Sequence, residues 1–156
     1  VRQMSTYFPM FMDISKVVTI VVGGGKIAER RIQTLRQFFA QIVVIAPKVT
    51  PIIQSLAEYG QLRWVDRSFQ KEDFTDPNIA MAIIATDDRS VNYMAGELAK
   101  AEGIPVSVAD CKEESTFYFP GIVKKDNVVI GVTSSGVNHK QAADITQRIR
   151  DLMEDI

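Results

Sequence analysis

Three glycines and an alanine at fixed spacing are the residues of this sequence best suited to chemistry. Gly23, Gly24 and Gly25 end a run of β-branched residues, and Ala28 follows where a helical pattern has begun. Positions 23, 25 and 28 read G-x-G-x-x-A, a spacing whose reasons are steric. The first glycine makes a tight turn, the second lets a pyrophosphate approach the backbone, and the alanine lets helix and strand pack closely. Free N–H groups at the start of the helix favour an anion there. The alternative is a structural glycine turn that holds no ligand. Its placement between a buried strand and an amphipathic helix favours the binding reading.

Three further groups fall at the carboxyl ends of predicted strands, the edge where ligands of open α/β sheets bind. Ala46-Pro47-Lys48 should lie beside the ribose of a bound adenosine, where an NAD site commonly has Asp or Glu roughly 20 residues after the glycines. No acid stands there. Lys48 would suit a 2′-phosphate, so spacing alone leaves NAD and NADP open. Thr86 and Asp87 would line the nicotinamide side, and the same residues can serve as helix caps. Asp110 ends a buried strand just before the architecture changes. A carboxylate there can take a proton or orient a substrate nitrogen, or it can cap a turn. His139 near a helix start and the lysines Lys112, Lys124, Lys125 and Lys140 are ordinary surface groups singly. Gathered at one cleft they would suit a substrate with several carboxylates.

The elements that must position these groups follow from periodicity. Apolar runs at residues 17–22, 41–46, 62–66, 79–85 and 105–109 predict strands buried on both faces. Helices are predicted between them at 26–39, 51–59 and 90–102, with inner faces Ala28, Ile32, Leu35 and Phe39 in the first and Val91, Met94, Ala95 and Leu98 in the third. Such alternation predicts an α/β fold, a doubly wound parallel sheet with right-handed crossovers. After Asp110 the pattern changes. Strands at 117–123 and 128–133 are joined by too few residues for a crossover, so they form a hairpin. A last helix from about Lys140 carries the stripe Ala142, Ile145, Ile149, Leu152 and Ile156, which no later element covers; a partner subunit is the expected cover. The aromatic segment 7–13 is expected to pack on the sheet.

Composition limits the alternatives. The 156 residues suit one domain with a small appendage, and 46% hydrophobic content suits a packed core. A net charge of −1 provides no global field for nucleic acid or a membrane surface. One cysteine, Cys111, excludes an internal disulfide framework, and with His139 as the sole histidine no Cys/His metal cluster is expected. Apolar runs are strand-length, so no membrane span is expected. Pro9 and Asp13 interrupt the early apolar stretch against a signal peptide, and a cytoplasmic location is the default expectation.

In order, the blocks Tyr7-Phe8-Pro9-Met10-Phe11-Met12-Asp13, Val21-Val22-Gly23-Gly24-Gly25-Lys26-Ile27-Ala28-Glu29-Arg30, Ala85-Thr86-Asp87-Asp88 with Asn92, Val108-Ala109-Asp110, Phe117-Tyr118-Phe119-Pro120-Gly121 and Val132-Thr133-Ser134-Ser135-Gly136 resemble the precorrin-2 dehydrogenases of siroheme synthesis. The resemblance covers about residues 7–150. It implies a Rossmann-like domain over residues 1–112, then a hairpin-plus-helix segment over 113–156 for dimerisation and the substrate cleft. It implies oxidation of the tetrapyrrole precorrin-2 to sirohydrochlorin with NAD⁺ by a homodimer, in some members followed by iron insertion at the same site. It places Asp110 on the family's functional aspartate. Gly23, Gly24, Gly25, Lys26, Ile27, Pro47, Lys48, Thr86 and Asp87 fall on the cofactor turn and contacts, and Ser134, Ser135, His139 and Lys124 become the substrate-side candidates. The family lacks the ribose acid while using NAD⁺, so Lys48 is not an NADP signal. Two departures are visible: Val137-Asn138-His139-Lys140 replaces a Ser-Pro step, and the sequence stops where many relatives carry a further helical segment or a fused methyltransferase. A non-catalytic NAD-sensing regulatory domain is the rival from another class. Such domains tend to keep the ribose acid and have no reason for the hairpin unit.

Overall fold

The structure, a computed structural model, describes residues 6–156. Its contacts divide into two compact units. One is Met12–Phe117; the other is Tyr118–Ile156 with the segment ending at Phe11.

The larger unit is built on a five-stranded sheet. β1 (Val18–Val22), β2 (Gln41–Ile45), β3 (Arg63–Val65), β4 (Ile79–Ile84) and β5 (Val106–Val108) take the order β3-β2-β1-β4-β5. Every neighbouring pair is parallel, with Val21 opposite Val44 on one side and Ile83 on the other. This is the doubly wound order expected of alternating strands and helices. Ile20, Val22, Ile45, Ala82, Ile84 and Val106 form the core together with Ala95 and Ala99 from a crossover helix. The strands read as unbroken apolar runs because helices shield the sheet.

The helices are α1 (Lys26–Arg36), α2 (Pro51–Glu58) and α3 (Arg89–Ala101). α1 buries Ala28, Ile32 and Leu35 as expected, but it ends at Arg36. Phe39, assigned above to its inner face, lies beyond the helix with a left-handed backbone (φ 57°) and is 79% exposed. The chain leaves the helix one turn early to enter β2, so the 3.6-residue spacing no longer applies there.

α3 meets the core with three of its four expected residues, and Met94 departs. Ala95 is buried, and Val91 and Leu98 pack against the core, but Met94 is 42% exposed. The face that meets the sheet is Asn92, Ala95, Gly96 and Ala99. Small side chains permit this approach: a Cβ on Gly96 would stand 3.1 Å from the side chain of Val108. Asn92 is fully buried yet bonded throughout. It accepts from the Thr86 N–H (3.2 Å) and hydroxyl (2.5 Å) and donates to the Thr86 carbonyl (3.0 Å).

The smaller unit contains the antiparallel hairpin β6 (Gly121–Lys125) and β7 (Val128–Val132), then α4 (His139–Glu154). Residues 117–120, predicted as strand, lie outside β6. Thr146 is the buried residue of α4, and a Cβ at Gly121 would overlap its hydroxyl, so helix and strand meet at close range. Along the predicted stripe Ile145 and Leu152 are 41% and 63% exposed. The early aromatic segment does not bury its side chains as expected: Phe8 is 88% exposed, while Tyr7 meets Tyr118 edge-on at 4.5 Å. Among the described residues no helix is long and apolar enough to cross a membrane.

Replacing Asn92 with Ala leaves the Thr86 N–H and carbonyl without their partner in a partly buried site. It should cost about 1–3 kcal/mol, read as a lower urea midpoint.

Candidate functional site

β1, β2 and β4 end together, and three loops leave them. The Ala85 N–H donates to the Val22 carbonyl (2.8 Å) and the Gly23 N–H to the Ile45 carbonyl (2.9 Å), so the glycine turn is tied to both neighbouring strands. The loops enclose a cavity of about 790 Å³. Gly23, Gly24, Gly25, Lys26, Ile27, Pro47, Lys48, Thr86 and Asp87, all the expected cofactor residues, line it.

The three glycines have different duties. Gly23 has φ 116°, and a Cβ there would overlap the Ala85 carbonyl oxygen. Gly24 is closed off by the β2–α2 loop: a Cβ would overlap the Lys48 carbonyl, and its own carbonyl accepts from the Thr50 N–H at 2.9 Å. Gly25 has nothing within 4 Å of its Cβ position. It stands at the N-cap of α1 with no side chain bonding the first free N–H groups. Among the described residues the other α-helices are capped by side chains, from Thr50, Asp88 and Asn138. An uncapped helix start with open space at a glycine fits an anionic phosphate group. The residues present therefore fit the pyrophosphate of a dinucleotide.

On the β4 side the capping role falls to Asp88. Its carboxylate accepts from the N–H groups of Ser90 (2.9 Å) and Val91 (3.2 Å) and from the Ser90 hydroxyl (2.6 Å). Those bonds, the Ser90 hydroxyl first, hold Asp88 below the ordinary aspartate range. Thr86 is fixed by Asn92, and its hydroxyl accepts from the Asp88 N–H at 3.2 Å.

Periodicity missed Ser68 and Phe69, which also line the cavity. They sit in an irregular stretch after β3, and no spacing rule ties such a stretch to the glycines. The fold's order, with β3 beside β2, brings them there.

Asp110 follows β5 and is not among the lining residues of this cavity. Its carboxylate accepts from Arg89 at 2.7 Å, and the same guanidinium bonds Glu114. Ser134, Ser135, His139 and Lys124 belong to the smaller unit. The Ser134 hydroxyl accepts from the Asn138 N–H (3.0 Å), Ser135 has φ 56°, and His139 opens α4 at the surface.

Comparison with known proteins settles the family. The family described as "Putative NAD(P)-binding" matches residues 10–121. The precorrin-2 dehydrogenase of Bacillus subtilis is 31% identical over 94% of this chain and 88% of its own length. The chain belongs to the precorrin-2 dehydrogenase family. A siroheme synthase of Nitrosococcus oceani is 35% identical over 94% of this chain, which spans 31% of that protein. The solved structure of SirC, a precorrin-2 dehydrogenase, superposes with a TM-score of 0.72 at 27% identity, covering 96% of this chain and 71% of that one. This member of the precorrin-2 dehydrogenase family thus spans less than a third of the siroheme synthases it matches and most of a dehydrogenase.

The glycines yield a paired test. Gly25→Val puts a side chain into open space on the cavity wall, so the fold should persist while NAD⁺ affinity falls at least about tenfold. Gly24→Val forces apart two packed loops, so that variant should lose stability first. Calorimetry with NAD⁺ beside thermal melting separates them.

Proposed function

We propose that this chain oxidises precorrin-2 to sirohydrochlorin with NAD⁺ as the dehydrogenase step of siroheme synthesis. The observation that carries the reading is the match to a precorrin-2 dehydrogenase along nearly the full length of both chains. The dinucleotide supplies the hydride acceptor. The start of α1 and Gly25 receive its pyrophosphate, with Lys26 and Ile27 at the same turn. Pro47 and Lys48 lie on the adenosine side, and Thr86 and Asp87 on the nicotinamide side, following the rule that a dinucleotide straddles the crevice at the reversal of strand order.

Losing a hydride leaves the reduced tetrapyrrole as an electron-poor cation that must also release a proton. Asp110 is the carboxylate assigned to that step: it stabilises the developing charge, orients a pyrrole N–H and accepts the proton. Arg89 fixes the carboxylate's direction. Ser134, Ser135, His139 and Lys124 are assigned to the substrate side, where hydroxyl and basic groups suit the acid side chains of a tetrapyrrole. NAD⁺ is the preferred cofactor despite Lys48. The working form is a homodimer, supported by the exposed Ile145, Leu152 and Ile156 of the last helix and its end.

The experiment is anaerobic: precorrin-2 and NAD⁺ are mixed with the protein and the spectrum is followed, with NADP⁺ in a parallel run. Conversion to sirohydrochlorin, faster with NAD⁺, is expected. Adding Fe²⁺ afterwards reads whether the chain also inserts iron. NAD⁺ binding without any conversion would return the chain to the class of nucleotide sensors. Asp110→Asn keeps shape and hydrogen bonding but removes charge, so turnover should fall at least about 100-fold with NAD⁺ affinity unchanged. A normal rate would reduce Asp110 to a turn residue. For the dimer, sedimentation equilibrium at micromolar protein should give twice the chain mass, and Leu152→Asp should give the single mass.

A further inference from the structure

The stretch between β3 and β4 is held by more bonds than a surface connection requires. The Arg67 guanidinium bonds the Asp73 carboxylate with two parallel contacts, at 2.9 and 2.6 Å. Asp73 also accepts from the Gln70 N–H at 2.7 Å, and Arg67 donates to the Ser68 carbonyl at 3.0 Å. The Asp73 side chain is 9% exposed. Burial works to raise its pKa, but the bonds from Arg67 and Gln70 and the guanidinium charge outweigh it and hold the carboxyl ionised below the ordinary aspartate range. An apolar contact reinforces the polar one: the rings of Phe69 and Phe74 lie 4.9 Å apart, both buried.

What these bonds hold in place is Ser68 and Phe69, the wall of the cofactor cavity on the β3 side. Neither Arg67 nor Asp73 lines that cavity. In a sheet of order β3-β2-β1-β4-β5 the β2–β3 side takes the adenosine half of a dinucleotide, and the β4–β5 side the nicotinamide half. β2 is followed by Ala46-Pro47-Lys48, so no carboxylate stands at the end of that strand for the ribose. Ser68 is exposed, and its hydroxyl has no hydrogen-bond partner among the described residues.

We infer that Ser68 is a binding residue for the adenosine half of the cofactor and that the Arg67–Asp73 ion pair, outside the cavity, is the positioning device that sets how tightly that half is held. The Ser68 hydroxyl supplies a polar contact on a side that lacks the usual acid, and Phe69 supplies the apolar wall beneath it. Without the clamp the stretch must be ordered each time a nucleotide binds, and that cost falls on the adenosine half alone.

The inference rests on the dinucleotide reading of the cavity, and the test separates the two. Calorimetry on the full chain measures binding of NAD⁺, AMP and nicotinamide mononucleotide to wild type, Arg67→Met, Asp73→Asn, Arg67→Lys and Ser68→Ala. Arg67→Met and Asp73→Asn should weaken NAD⁺ and AMP about tenfold and leave nicotinamide mononucleotide unchanged. Arg67→Lys keeps the charge but loses the fork, so it should fall between wild type and Arg67→Met. Should the clamp variants fail to fold, Ser68→Ala decides, because an exposed serine tolerates the change; weaker AMP with unchanged nicotinamide mononucleotide supports the assignment. NAD⁺ and AMP affinities within about twofold of wild type in the folded variants overturn it. So does an equal loss for both mononucleotides, which would mean general loosening. Wild type that binds neither NAD⁺ nor AMP would overturn the dinucleotide reading itself.

Discussion

The Ala85 carbonyl imposes the constraint from which the rest of the site follows. It stands where a Cβ on residue 23 would have to be. β1 and β4 are paired along five residues of β1 and stay paired to their ends, so the chain leaving β1 must turn sharply under that oxygen. Glycine with φ 116° is the residue that can do so. The turn in turn sets the position of α1, whose first residues, Lys26 and Ile27, line the cavity. A shallower turn would move the helix start out of the crevice and leave a parallel sheet with no anion seat.

Around this turn hydrogen bonds and one ion pair fix the loops. Asn92 holds Thr86 with three hydrogen bonds from inside the core. The Gly24 carbonyl and the Thr50 N–H join the glycine turn to the β2–α2 loop. The Trp64 indole N–H donates to the Ala46 carbonyl at 2.8 Å, tying β3 to the end of β2. Arg67 and Asp73 then brace the stretch beyond. Asn92, Trp64, Arg67 and Asp73 are not among the lining residues, so the cavity wall owes part of its shape to residues that do not face it. Close packing transmits such support.

The strands of the larger unit and the glycine turn were legible because their causes are local. Unbroken apolar runs need cover on both faces, and a glycine pair spaced for a strand-to-helix turn has few other uses. On α3 one expected position, Met94, stays out of the core for a physical reason. Hydrophobicity favoured Met94, while close approach to the sheet favoured Gly96 and Ala99, and a buried Asn satisfied by Thr86 looks polar in sequence. Phe39 and the aromatic segment near the start misled in the opposite direction, since an apolar side chain carries no record of whether its own chain buries it. Ser68 and Phe69 could not be found by spacing at all; strand order puts them beside the glycines.

The uncapped start of α1 makes the protein's stability a function of its surroundings. Among the described residues each other α-helix has one or two of its first N–H groups bonded by its N-cap side chain. α1 leaves that role to whatever anion enters the crevice, so a bound nucleotide is also a helix cap. By mass action a ligand at 100 times its dissociation constant adds about 2.7 kcal/mol to the folded state. That increment is comparable with losing or gaining a well-packed side chain. The fraction of chains exposed to unfolding and proteolysis would therefore follow the free nucleotide pool, tying the amount of the protein in a cell to the supply of the molecule it uses.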